Sequence, residues 1–168
     1  YVRKFDETIG AMTNINISEK LRELSYQEYL PFIFKYISEK GFSVFHYVPG
    51  GPPDIDYIRY STFDINDGRQ SFGIQNSFSF IQEGLNGQNY STDNIERRAK
   101  GQMVGMRGLL EFAYNHNDEI KSLVKTEREK LVSNNVSDKV AIQLDHFADG
   151  SKLEIPMFSY YSNRDTVI

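Results

Sequence analysis

The residue in this sequence best placed to do chemistry is Glu83, which closes the stretch Gly73–Gly84, GIQNSFSFIQEG. Phe78 and Phe80 alternate there with Ser77 and Ser79, and Ile81 extends the apolar run toward Gly84. A period of two predicts a strand. Glu83 then stands at the strand's carboxyl end, where ligands collect in open α/β sheets. A carboxylate so placed takes a proton from a metal-bound water and hands it to a leaving amine, the general base and acid role in metal-assisted hydrolysis. A glutamate before a glycine at a strand end is in most proteins an ordinary turn residue, so spacing alone leaves both readings open.

The other chemistry-bearing types offer less. His46, His116 and His146 form no metal-ligand pair at helical i, i+4 or short-loop spacing. His46, in an apolar run, reads as a core or wall imidazole, with a ligand role open if it lies near a sheet's carboxyl end. His116, near a helix C-terminus, is accounted for by the helix dipole. There is no G-x-S-x-G elbow, P-loop or dinucleotide fingerprint. Cysteine is absent, which removes disulfides, thiolate catalysis and cysteine zinc sites but leaves the compartment open. The N-x-S sequons at Asn16, Asn89 and Asn135 are short enough to arise by chance.

The elements that must position Glu83 are legible as alternating helices and strands. Residues 18–40 carry Leu21, Leu24, Leu30, Ile33 and Ile37 at helical spacing, with Ser18 to cap the start and Gly41 the end. Ser25 and Glu28 form a capping-box pattern and Pro31 lacks a donor, so two helical pieces are expected, their aromatic residues packed in the core. A buried strand follows at Phe42–Val48, then a loop at Pro49–Asp54, and a further strand-like piece at Tyr57–Phe63. Beyond Glu83, a Gly- and Asn-rich loop to Ser91 leads to a helix capped by Thr92 or Asp93. Its stripe of Ile95, Ala99, Met103, Met106, Leu110 and Ala113 predicts the face packed on a sheet. Gly101, Gly105 and Gly108 in the same helix mark close approach to a neighbour. A second helix is expected from Asp118 to about Val132. Lys139–Phe147 and Lys152–Tyr161 read as strands around the turn Asp149-Gly150, either the edge of the same sheet or the first hairpin of another domain.

Composition excludes several classes. A hydrophobic share of 39% and a charged share of 25% are those of a globular domain with a real core. The net charge of −4, with Lys and Arg spread along the chain, gives no electrostatic footprint for nucleic acid or an anionic membrane. No apolar run approaches the roughly 18 residues that span a bilayer. The opening on Tyr1, inside a polar and aromatic stretch, reads as a processed or truncated piece of something longer.

From about Ile37 to Ile120 the chain resembles the C-terminal half of the catalytic domain of zinc metallocarboxypeptidases of the carboxypeptidase A type, above all their bacterial branch. Phe72-Gly73-Ile74-Gln75-Asn76, followed ten positions after Gly73 by Glu83, is similar to the strand that bears the family's general-base glutamate. Glu96-Arg97-Arg98-Ala99 resembles the E-x-R-x-x-A start of the next helix, with the second arginine shifted. Leu109-Leu110-Glu111-Phe112-Ala113, with His116, Asp118, Glu119 and Ile120, resembles its end, L-L-E-Y-A-x-x-H-x-D-E-I. The resemblance implies a mixed, mainly parallel sheet flanked by helices over residues 1–134, a β-rich extension or the edge of a following domain over 135–168, and a secreted or periplasmic setting. It also implies a parent enzyme that cleaves peptide C-termini with zinc and Glu83 as base. The family's zinc ligands lie upstream of this half, so they are expected outside this chain, which alone is expected to be inactive. Gln75 stands where the family often has an arginine, and Tyr47, Tyr57 and Tyr60 compete for the tyrosine that folds over bound peptide. The contrasting reading is a non-catalytic module on a degenerate peptidase scaffold, binding peptide or glycan through the aromatic loops around Tyr47–Tyr60 and Tyr160-Tyr161. A purely structural or oligomerising domain predicts no pocket at Glu83.

Overall fold

The protein is described by a computed structural model over residues 2–48, 60–84, 94–133, 139–152, 154–159, 162 and 164–167. It is a mixed α/β structure. The elements in order are β1 (Val2–Arg3), β2 (Glu7–Gly10), α1 (Glu19–Glu23), a π-helical segment (Leu24–Tyr29), α2 (Leu30–Glu39), β3 (Val44–His46), α3 (Gly68–Gly73), β4 (Ile81–Gly84), α4 (Ile95–Asn115), α5 (Asn117–Val132), β5 (Pro156–Ser159) and β6 (Arg164–Val167).

The main sheet has the order β3-β2-β4. The β2/β3 ladder is parallel, from Glu7↔Val44 to Ile9↔His46, and the β2/β4 ladder is antiparallel, from Glu7↔Gly84 to Gly10↔Ile81. The sheet is therefore mixed, with one ladder of each kind among the described strands. Its central strand comes from the opening stretch that the sequence left without an element. The sequence of β2, ETIG, carries one large apolar residue, and all four of its residues are buried, so no alternation betrays it.

The helical region after Ser18 is continuous. Its expected break takes the form of a wider turn, with the Leu30 amide donating to the Ser25 carbonyl, five residues back. Pro31 has no N–H to give to the residue four back, and the wider register upstream accommodates it. Ser18 occupies the N-cap of α1, as its position predicts, but its hydroxyl donates to Glu127 at 2.9 Å instead of accepting from the helix, and Ser25 caps no helix, its hydroxyl donating to the Leu21 carbonyl at 2.7 Å. Gly41, at φ +81°, ends α2 as its position predicts. The core joins Ile9, Leu24, Tyr29, Leu30, Ile33, Ile37 and Phe112.

The expected strand over Gly73–Gly84 is shorter than its pattern. Asp67 accepts from the amides of Arg69 and Gln70 and starts α3. Asn76, at φ +50°, then turns the chain, and only Ile81–Gly84 finds a ladder. Phe78 and Phe80 are apolar because they pack on Tyr29, with ring centroids 5.9 and 3.9 Å away, not because they belong to a sheet.

On α4 the expected stripe is not the packed face. Met103, Met106 and Leu110 are 60–69% exposed, whereas Gly101, Gly105, Gly108 and Phe112 are buried. A Cβ at Gly101 would collide with Glu7, at Gly105 with the Gln82 amide, and at Gly108 with Ile33 Cδ1 at 2.5 Å. The close approach expected of these glycines is thus the helix's main contact, and glycines carry no side chain for a hydrophobic pattern to register.

β3 is shorter and less buried than expected, with His46 at its exposed end against the Phe34 ring. The second long helix, α5, falls where it was expected. Residues 139–147 form no strand; Asn16 holds them by exchanging hydrogen bonds with the Ala141 backbone at 2.8 Å. The turn at Asp149-Gly150 is present, but β5 pairs instead with β6 and with β1 in a second, antiparallel sheet. Residues 60–63 are irregular, held by Thr13 and Asn14. The expectations for Pro49–Asp54, Tyr57, residues 85–91, Thr92, Asp93, Asn135 and Tyr160-Tyr161 lie outside the described residues.

Candidate functional site

Glu83 is carried on β4 opposite Thr8, whose hydroxyl lies 3.4 Å from the Glu83 carbonyl. Alternation along β4 fixes which way it faces. Gln82 and Gly84 look toward α4, against Gly105 and Gln102. Ile81 and Glu83 therefore look the other way, and Glu83 is exposed.

That second face carries a buried cation. A Cβ on Gly10, the partner of Ile81, would lie 2.5 Å from Arg69 Nη1, 2.8 Å from Tyr47 Cβ and 2.9 Å from Ile81 Cγ2. The Arg69 guanidinium is buried, 5.3 Å from the centre of the Tyr47 ring, and its Nε meets Asp67 Oδ1 at 3.3 Å. Nη1 has no hydrogen-bond partner among the described residues. Of the tyrosines singled out from the sequence, Tyr47 stands on the Glu83 face, Tyr60 stacks on His146 at 4.1 Å, and Tyr57 is outside the described residues.

The face toward α4 holds a second carboxylate that the sequence did not disclose. Glu7 is fully buried, with Oε2 accepting from Gln82 Nε2 at 2.7 Å and from Gln102 Nε2 at 2.6 Å, while Oε1 has no partner among the described residues. Burial, opposed by the Gln82 bond and assisted by the negative charge of Asp6, raises its pKa from an ordinary 4.5 to about 7. Its neighbour Asp6 behaves oppositely. Burial raises Asp6 too, but bonds from Arg97 at 2.6 and 2.8 Å and from Ser43 outweigh it and hold the carboxyl below its usual range. The glycines of α4 were the one signal pointing here: something had to fill the space they leave.

The histidines lie elsewhere. His146 stacks on Tyr60 and Phe63. His116 does cap the end of α4, but it also starts α5, whose positive end offsets the dipole argument, and it faces Glu28 and Glu119. These three are the only group of metal-ligating side chains among the described residues. β4 meets α4 near Gln102, so His116 lies about 20 Å further along the helix at 1.5 Å per residue. The described residues therefore set no metal ligands beside Glu83. No family model, curated protein or solved structure matches the chain. Among the described residues no helix is long and apolar enough to cross a membrane.

Proposed function

We propose that this chain is the C-terminal part of a carboxypeptidase A-type zinc metallocarboxypeptidase, with Glu83 as general base, residues 1–134 contributing to the catalytic domain and 135–168 forming a β-rich extension. The observation that carries the reading is the sheet face on which Glu83 stands. An exposed carboxylate at the end of β4 shares that face with the buried Arg69 guanidinium and the Tyr47 ring. The Arg69 side chain is buried and already pairs with Asp67, so it lends the face positive charge rather than a contact, and the exposed Glu83 carboxylate is the group a peptide would meet.

Zinc, when bound by residues outside this chain, would polarise the scissile carbonyl and its attacking water. This chain's own part is to hold and move the proton at the Glu83 carboxylate and to orient the peptide.

The test is release of C-terminal amino acids from unblocked peptides by the full-length parent, with and without chelator, beside its Glu83→Gln variant. Chelator-sensitive release that falls by at least a hundredfold in the variant is the expected result. Hydrolysis by the 168-residue chain alone that survives Glu83→Gln would sink the proposal. A folded, zinc-loaded parent that binds peptide without cleaving it would favour the non-catalytic module.

A further inference from the structure

We propose a second metal site, independent of the peptidase reading, in which Glu28, His116 and Glu119 bind one divalent transition-metal ion with zinc's ligand preferences. The three side chains come from three places: the π-helical segment, the corner between α4 and α5, and the first turn of α5. Their ligand atoms all lie within 4.8 Å of one another. His116 Nδ1 is 3.1 Å from Glu119 Oε2 and 3.9 Å from Glu28 Oε2. A tetrahedral ion with bonds of about 2.0–2.2 Å separates its donors by roughly 3.3 Å. The observed separations need only torsions of two exposed carboxylates to meet it.

The imidazole is already oriented. Its ring stacks on that of fully buried Phe112 at 4.2 Å and 19°, and Nδ1 is turned to both carboxylates.

The charges leave room for a cation. Nδ1 carries one proton at most, so it serves one carboxylate fully and leaves the other facing a like charge. The start of α5 favours an acid in its first turn and so accounts for Glu119. It does not account for Glu28, which comes from another helix. Among the described ion pairs, neither glutamate meets Lys or Arg. The wider turn that carries Glu28 shifts it from the phase α1 would give, and such turns are frequent at functional sites. One nitrogen and two carboxylate oxygens select a borderline ion over calcium or magnesium. With the side chains part-exposed, water completes the coordination. The site's role is to tie the π-helical segment to the α4–α5 corner.

The experiment is calorimetric titration of the 168-residue chain with Zn²⁺, alongside the absorption spectrum of its Co²⁺ form. Expected are one ion per chain, a rise in Tm with Zn²⁺, and affinity at least tenfold lower in Glu28→Gln. The exposed position of Glu28 leaves the fold intact in that variant, and Glu83→Gln is expected to bind normally. No Zn²⁺ binding, or binding that Glu28→Gln weakens less than tenfold, overturns the proposal. The two readings are told apart by the variants, because Glu28→Gln removes a ligand of this site alone and Glu83→Gln the proposed peptidase base alone.

Discussion

Glu7 and Glu83 sit on neighbouring strands, one residue pair apart in register, and differ in nearly everything that governs a carboxylate. Glu7 faces α4, is sealed under Gly101 and is bound by two glutamine amides. Glu83 faces away from α4 and is exposed. The difference comes from strand alternation and from which side the glycine-lined helix covers. It teaches that a perturbed carboxyl need not be one that a ligand can reach. The pKa of Glu7 is raised because nothing reaches it, so it has no substrate to serve.

The contrast breaks most severely at the helix. Gly101→Leu drives a side chain into Glu7, and is expected to cost about 3 kcal/mol or more through overpacking, measured by urea unfolding. An unchanged midpoint would mean that α4 does not cover this face. Next comes the charge itself. A carboxyl whose pKa is raised on folding stabilises fully below its unfolded value of 4.5, and that contribution is lost as pH rises through about 7. Glu7→Gln is therefore expected to flatten stability against pH between about 4.5 and 7. Above pH 7 it should gain on the wild type by an amount of order 3 kcal/mol, at 1.36 kcal/mol per pKa unit. Parallel curves for the two proteins would show that Glu7 is not buried as a charge. The smallest effect is expected on the open face, where Glu83→Gln should change the unfolding free energy by less than about 0.5 kcal/mol, as at ordinary surface positions. A larger loss would give Glu83 a structural role.

Much of the helical frame was legible, and the reason is length. The region after Ser18 and α5 carry their periodicity over several turns, and the C-cap at Gly41 was readable from its type. What escaped was whatever depends on partners far along the chain. β2 has four residues, all buried and one of them an acid, so neither alternation nor polarity marked it. The face of α4 was misassigned because its contact surface is glycine. The place of Glu83 near the end of a strand was legible, whereas Arg69 and Tyr47 came to its face only through the fold. Within the cluster of Glu28, His116 and Glu119, the pair His116 and Glu119 stands at H-x-x-E spacing and was readable, whereas Glu28 lies 88 positions before His116 and joins the pair only through the fold.

The bonding of Glu7 also bears on the order in which the structure is made. Its two amide partners lie 75 and 95 positions downstream. During synthesis β2 emerges before both amide partners, and its carboxylate is closed only once the first turns of α4 have been added. Contacts of such wide separation slow folding. Until then Glu7 is solvated as an ordinary acid, so between about pH 4.5 and 7 the closing of α4 over the sheet would be accompanied by proton uptake at Glu7.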